Sequence, residues 1–299
     1  MSQVPATEQT NPNTVDLDRL PTGELLARMA REDASVPAAV EAELPAIAEA
    51  VAAVVERMQR GGRLVYVGAG TSGRLAMMEA AEARPTFGTS PDQVIGVMAG
   101  GRGAEVRAEE RAEDDDAAGA SEIQRLGIGP EDSVVALSAS GNTPFAVAAA
   151  REARNRGALT VSIACDHPTP LAEAAQLAIH PHTGPEVVAG STRLKAGTAQ
   201  KLVLNMLTTA VMVRLGKVYG NLMVDVRASN RKLRERARRI VAEVTARPPA
   251  EVEAALEASG WSARLAIAML VTGRPADEAR ELLALRGLQA LIAERDAGS

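Results

Sequence analysis

Two short stretches of this chain combine glycine with hydroxyl side chains directly after an apolar run. The first is Leu64-Val65-Tyr66-Val67-Gly68-Ala69-Gly70-Thr71-Ser72-Gly73-Arg74. The second is Ser138-Ala139-Ser140-Gly141-Asn142-Thr143, again straight after an apolar segment. Each reads as a strand, a tight turn and the start of a helix. A turn of that kind offers backbone N–H groups at the positive end of a helix dipole, which favours an anion such as phosphate. Gly70, Thr71, Ser72, Gly73 and Arg74 add hydroxyls and a guanidinium at the first turn. Ser138, Ser140, Gly141, Asn142 and Thr143 form the second. Two such turns on one sheet suit one small phosphorylated ligand held between them.

Gly68, Gly70 and Gly73 also spell the G-x-G-x-x-G of dinucleotide binding. That reading expects an acidic residue about 20 positions on, at the end of the second strand. The second apolar run, Val94-Ile95-Gly96-Val97-Met98, ends in Ala99-Gly100-Gly101 with no carboxylate. A compact phosphomonoester fits the hydroxyls better than a dinucleotide does.

Carboxylates supply the candidate acid–base groups. Glu82 lies about three helical turns beyond the first loop, just before Arg84-Pro85. Proline disfavours helix at the residue before it, so Glu82 is expected at a helix end facing a cleft. Glu79 shares that side of the helix, and Glu110 with Glu113 forms a similar pair further on. Two carboxylate-bearing helices beside two phosphate turns match general acid–base chemistry on a sugar phosphate. Lys195 follows Gly190-Ser191-Thr192-Arg193 and is expected either to pair with an anionic ligand or to be solvated. His167, His180 and His182 have no zinc-type spacing, and no metal is expected. No G-x-S-x-G elbow exists for Ser/His/Asp catalysis. Cys165 ends a strand and reads as a small buried hydrophobe.

The elements that must position these groups alternate. Strands are expected at 63–67, 94–98, 133–138, 159–164 and, weakly, 177–180. Helices are expected between them at 73–83, 103–125 and 144–156. This alternation implies an α/β fold with a doubly wound, parallel, five-stranded sheet whose ligands sit at the carboxyl ends of the strands. Ahead of it stand N-terminal helices, one capped by Thr22 and a longer one at 35–60. Behind it come a long helix at 191–215, capped by Ser191 or Thr192, and a basic helix at 225–247. A small bundle of three short helices closes the chain from about 250. The expected division is a loosely ordered segment 1–16, a sheet domain with flanking helices 17–247, and the bundle 248–299.

Composition limits the partners. The net charge is −5, which argues against nucleic acid or an anionic membrane as the main partner. The basic helix, with Arg227, Arg231, Lys232, Arg234, Arg236, Arg238 and Arg239, reads as a solvated or intersubunit face because no aromatics interleave. Aromatic residues are only 2% of the chain, so the core must be Ala, Val, Leu, Ile and Met. The single cysteine allows no intramolecular disulfide and fits a reducing cytoplasm. No apolar run approaches the ~20 residues of a membrane span, and the N-terminus has no signal pattern.

Residues 68–74 with 138–143 resemble the sugar isomerase domain, which binds phosphosugars. Longer segments resemble the N-acetylmuramic acid 6-phosphate etherase family. These are Gly68–Leu75, Glu82 with Pro85-Thr86-Phe87-Gly88, Ala99-Gly100-Gly101, Glu186–Lys201 and Gly216–Asp225. The likeness runs from about residue 17 to the C-terminus. It implies cleavage of the lactyl ether to N-acetylglucosamine 6-phosphate and D-lactate, in a cytoplasmic homodimer with no organic cofactor. The family's proton donor falls on Glu82 and its second active-site glutamate on Glu113. Arg84, Ala81, Ala83 and Arg102-Gly103 depart from the family pattern and alter the surroundings of these acids. The scheme expected from these parts makes Glu113 the base at C2 and Glu82 the donor to departing lactate, or gives both steps to Glu82, followed by addition of water. The long helix at 191–215 is expected to help bury a partner subunit. The competing readings are a phosphosugar aldose–ketose isomerase and a non-catalytic phosphosugar sensor. A DNA-binding sensor is disfavoured by the short N-terminal segment, which lacks a helix-turn-helix pattern.

Overall fold

The computed structural model describes residues 4–101, 110–226, 228 and 230–297. The chain forms two compact units, one of residues 1–81 and 92–211, the other of 82–91 and 212–299.

The first unit is built on five parallel strands, β1 (Leu64–Gly68), β2 (Val94–Met98), β3 (Ser133–Leu137), β4 (Leu159–Ile163) and β5 (Leu177–Ile179). Their order is β2-β1-β3-β4-β5. Leu64 stands opposite Val94 on one side and Ser133 on the other, so β1 is central to both neighbours. Strand side chains alternate between faces, and here both faces are covered. Val65, Val67, Val134 and Ala136 pack against Ile123, Phe145, Ala149 and Leu171. These come from helices α5 (Asp116–Arg125), α6 (Pro144–Asn155) and α7 (Pro170–Ala174). On the opposite face the buried Tyr66 hydroxyl meets Thr208 Oγ1 at 2.6 Å, within helix α8 (Lys195–Arg214). The doubly wound parallel sheet is therefore present as expected.

The N-terminal helices are α1 (Thr22–Asp33), α2 (Val36–Glu41) and α3 (Leu44–Gln59). The single long helix expected at 35–60 is thus two helices. Pro45 opens α3, where a missing N–H is harmless, whereas inside one long helix its ring would collide with the preceding turn. The described part of the segment expected to be loose up to Asp16, from residue 4 on, is docked on the unit. Thr7 and Asn11 are buried, Asp166 accepts the Ala6 N–H at 2.8 Å, and Thr14 donates to the Val187 carbonyl at 2.9 Å.

Helix α4 (Gly70–Phe87) starts at the first loop and continues through Pro85. Glu82 is therefore not at the helix end. A proline near a C-terminus costs one hydrogen bond of the last turns rather than breaking a helix in its middle. The expected helix at 103–125 falls partly outside the described residues. The described part is a 3-10 turn at Glu110–Asp114, then α5, whose start is capped by Asp115 accepting the Ala118 N–H.

The second unit contains α9 (Arg231–Thr245), α10 (Pro249–Ala258), α11 (Ala263–Thr272), α12 (Ala276–Arg286) and α13 (Leu288–Ala297). Four helices follow the basic one rather than three. Ile240, Val241 and Val244 of α9 share a core with Leu256, Ile267 and Leu291, so the basic helix packs with the bundle. Arg227 lies outside the described residues. Among the described residues no helix is long and apolar enough to cross a membrane.

Candidate active site

The chain passes from β1 to β2 on one side of β1, and β3 then takes the other side. A parallel sheet that reverses direction in this way opens a crevice between the two diverging loops. Those loops are the two glycine–hydroxyl turns, leaving the carboxyl ends of adjacent strands.

In the first turn, close approach explains the glycines. A Cβ on Gly73 would stand 2.7 Å from the Gly68 carbonyl oxygen and 2.7 Å from Met98 Cγ. The motif here lets a strand fold straight back into a helix. Gly70 has φ +51°, and a Cβ on it would lie 2.5 Å from Glu113 Oε1. The Glu113 carboxylate therefore rests against the turn that opens α4. Ser72 is buried, and its hydroxyl donates to Gln200 Oε1 at 2.8 Å. Thr71 lies beside Gly197, its methyl 3.5 Å from where a Cβ would stand. Arg74 is half-buried on the same turn of helix.

The second turn is organised by its own hydroxyls. Ser138 Oγ and Thr143 Oγ1 share a hydrogen bond of 2.8 Å, and Ser138 Oγ accepts the Gly141 N–H at 3.0 Å. Ser140 Oγ accepts the Asn142 N–H at 3.3 Å, and the Ser140 carbonyl takes the Asn142 side-chain amide at 3.0 Å. The loop is anchored on both sides, by Cys165 N–H to the Ala139 carbonyl at 2.8 Å and Leu171 N–H to the Gly141 carbonyl at 3.1 Å. Thr143 stands at the N-terminal boundary of α6 without a side-chain capping bond, which places that helix's positive end at the loop. Ser140 and Thr143 are half-buried and Asn142 is exposed.

The remaining candidates separate. Glu82 is exposed on the part of α4 that belongs to the second unit. Glu79 is buried and pairs with Lys201 at 2.5 Å. Lys195 is not solvated: it is 3% exposed, and its ammonium pairs with Glu32 at 2.9 Å. Burial would raise the Glu32 carboxyl, yet Lys195, Asn13 and Asn11 hold it below its ordinary value. Lys195 thus ties α1 to the start of α8. That start is capped neither by Ser191 nor by Thr192. The buried Glu186 carboxylate accepts the Lys195 and Ala196 N–H groups, each at 2.9 Å, while burial pushes its pKa up. Cys165 is buried, and burial pushes its thiol up to about 12, which leaves it inert.

One residue of the site was missed in the sequence. Gln200 is fully buried. Its oxygen holds Ser72, and its Nε2 finds no partner among the described residues. The signal was present: Gln200 falls four residues after Ala196 and three before Val203, on the apolar stripe of α8, where an amide is out of place.

Comparison with known proteins agrees with this architecture. The family model for the glucokinase regulatory protein N-terminal SIS domain matches residues 46–155, and that for the SIS domain matches 116–210. An N-acetylmuramic acid 6-phosphate etherase from Rubrobacter xylanophilus is 55% identical over 96% of this chain and 96% of its own length. One from Mycolicibacterium smegmatis is 54% identical over 91% of this chain and 92% of its own. One from Streptomyces avermitilis is 53% identical over 93% and 89% respectively. With identity at this level across nearly the whole of both chains, this chain belongs to the N-acetylmuramic acid 6-phosphate etherase family.

Proposed function

We propose that the chain is a carbon–oxygen lyase acting on N-acetylmuramic acid 6-phosphate, giving N-acetylglucosamine 6-phosphate and D-lactate in amino-sugar recycling. The observation that carries its chemistry is the Glu113 carboxylate against the Gly70 turn, beside a second turn made of hydroxyls.

That carboxylate bears on where the phosphate goes. Two like charges about 4 Å apart repel by roughly 4 kcal/mol at an effective dielectric constant near 20. A phosphate dianion is therefore better held at the second turn, by Ser138, Ser140, Gly141, Asn142 and Thr143 at the positive end of α6. The first turn, with Thr71, Ser72 and Arg74, then faces the sugar. Lys195, paired with Glu32, shapes the start of α8 instead of touching ligand.

The C2 proton is acidic only alpha to a carbonyl, so the open-chain aldehyde reacts. Glu113 takes that proton. The C3–O bond breaks, and Glu82 protonates the departing lactate oxygen, since an alkoxide leaves poorly. Water then adds to C3 of the unsaturated aldehyde, and a proton returns to C2. One carboxyl must be ionised while the other is protonated, which requires unlike surroundings. The reading includes a cytoplasmic homodimer in which α8 helps cover the cleft, and no organic cofactor.

The test is incubation with N-acetylmuramic acid 6-phosphate in ¹⁸O-water. Equal amounts of D-lactate and sugar phosphate are expected, with the label in the sugar at C3 and none in lactate. A ketose phosphate without lactate would replace this reading by an isomerase.

A further inference from the structure

Within the first unit, residues 6–14 are tied by polar groups to the stretch 185–190, which leads into α8. Asn11 is the hub of these ties. It is 3% exposed, and its side chain uses its oxygen and both amide hydrogens. Oδ1 accepts the Asn13 N–H at 2.9 Å. Nδ2 donates to Glu32 Oε2 at 2.7 Å and to the Pro185 carbonyl at 3.3 Å. Thr14 takes the Val187 carbonyl, and a Glu8 carboxylate oxygen lies 3.0 Å from where a Cβ on Gly190 would stand.

These ties converge on the start of α8. Pro185 and Val187 flank Glu186, whose carboxylate accepts the first N–H groups of that helix. Glu32 Oε2 also receives Lys195 Nζ at 2.9 Å, so Asn11 and the first residue of α8 share one carboxylate oxygen. From there α8 reaches the first turn. The Gly197 N–H bonds the Thr192 carbonyl at 2.9 Å, and the missing Gly197 side chain makes room for the Thr71 methyl. One helical turn on from Ala196, Gln200 holds Ser72 at 2.8 Å. Asn11, Glu186, Lys195 and Gln200 are all buried. Removing one member of such a network leaves its partners unsatisfied, so the loss spreads along it.

We propose that Asn11 is a positioning residue for the first turn: through Glu32, Lys195 and Pro185 it holds the start of α8 against Thr71 and Ser72. It does not touch the ligand. Its effect on a phosphosugar rests on the reading that the first turn faces one; its coupling to the turn rests on the hydrogen bonds alone. The second turn is anchored differently, by the backbone of Cys165 and Leu171. The Cys165 thiol reaches the Ala196 carbonyl only at 3.7 Å, a weak link to α8. Loosening the network at Asn11 therefore acts on one turn and spares the other.

Asn11→Asp keeps the shape of the side chain, removes both donors and sets a second carboxylate beside Glu32. Amide hydrogen exchange of the full-length protein, read by mass spectrometry, follows the coupling without any ligand. Amides of 69–76 and 194–201 should exchange about tenfold faster, the worth of about one hydrogen bond in local opening, and those of 138–143 within about twofold of wild type. Affinity for N-acetylglucosamine 6-phosphate, by calorimetry, should fall about tenfold. Combining Asn11→Asp with Glu32→Gln reverses the 2.7 Å bond and keeps one carboxylate beside Lys195, so most of the protection and affinity should return. Should Asn11→Asp fail to fold, Thr14→Val, which removes only the bond to the Val187 carbonyl, should give the same pattern at smaller size. Unchanged exchange over 69–76 with residues 4–16 loosened would overturn the proposal. So would equal loosening of both turns, or a melting temperature restored by the double variant without restored protection. Coupled exchange in a protein whose wild type does not bind the sugar phosphate would support the positioning role and remove the phosphosugar reading instead.

Discussion

The two ends of strands β1 and β3 are built from the same materials to opposite purposes. At the amino end, Asp132 Oδ1 accepts the Arg63 N–H and Nε–H, both at 2.9 Å. Its Oδ2 accepts Arg63 Nη2 at 2.7 Å and the Gly129 N–H at 3.0 Å. Arg63 also donates to the carbonyls of Leu126 at 3.0 Å and Gly127 at 3.1 Å. The charges there are consumed by the fold. At the carboxyl end, two turns of short hydroxyl side chains leave adjacent strands, the Glu113 carboxylate rests against Gly70 of the first, and a buried amide nitrogen of Gln200 is left without a partner among the described residues. The difference separates two uses of polar groups: those at the amino end close the sheet, and those at the carboxyl end are the ones proposed here to meet the ligand. A substitution at one end should therefore leave the property of the other end intact.

The largest effect is expected at the carboxyl end. Glu113→Gln should lower kcat by about 10²–10⁴, the range for removing a general base, with melting temperature little changed by calorimetry. Asp132→Asn should do the reverse. Breaking a mostly buried pair costs about 3–5 kcal/mol in the full case, and roughly 2–3 kcal/mol here because Arg63 stays partly in solvent. Denaturant titration reads that loss, while kcat below the melting range should be unaltered. Burial alone would raise the Asp132 carboxyl, but Arg63 and two backbone N–H groups hold it below its ordinary 3.8. Its folded pKa is depressed, so its contribution is present above pH 3.8 and is lost as pH falls through the folded value. The stability gap between wild type and Asp132→Asn should shrink over that acidic window.

Gly70→Ala sharpens the contrast within the carboxyl end. The left-handed backbone costs about 1–2 kcal/mol with a side chain, and the methyl displaces the tip of Glu113. Activity should fall by more than this stability loss accounts for. The smallest effect is expected for Gln200→Leu. It strands the Ser72 hydroxyl but removes an amide nitrogen that has no partner among the described residues, so stability should move by no more than about 1 kcal/mol. KM for the phosphosugar should rise several-fold with kcat nearly constant. A large kcat loss with normal KM would instead place Gln200 in the chemical step.

Much of this was legible in the residues. The strands appear within about one residue of the apolar runs because continuous Val, Ile and Leu between glycine turns leaves few other conformations. The turns were legible because hydroxyls and glycines at a strand's end serve little else. Pro85 misled: a proline near a helix C-terminus is tolerated, and α4 runs on to Phe87. The cap of α8 was illegible, since Glu186 acts from nine residues before Lys195, across a turn that no local pattern encodes. Lys195 was ambiguous for the same reason, because its partner Glu32 lies far away in the chain. Long-range pairs between polar groups carry no periodicity, and periodicity is what a single sequence offers.

The central claim is that the phosphate binds at the Ser138–Thr143 turn while Glu113, at the Gly70 turn, works on the sugar. Glu113→Gln incubated with N-acetylmuramic acid 6-phosphate in deuterated water tests it most directly, with substrate affinity measured alongside. The account predicts hydrogen exchange at C2 reduced about 100-fold or more, with a dissociation constant within about threefold of wild type. Wild-type exchange, or binding tightened more than about tenfold because an anion had been cleared from the phosphate cradle, would contradict it.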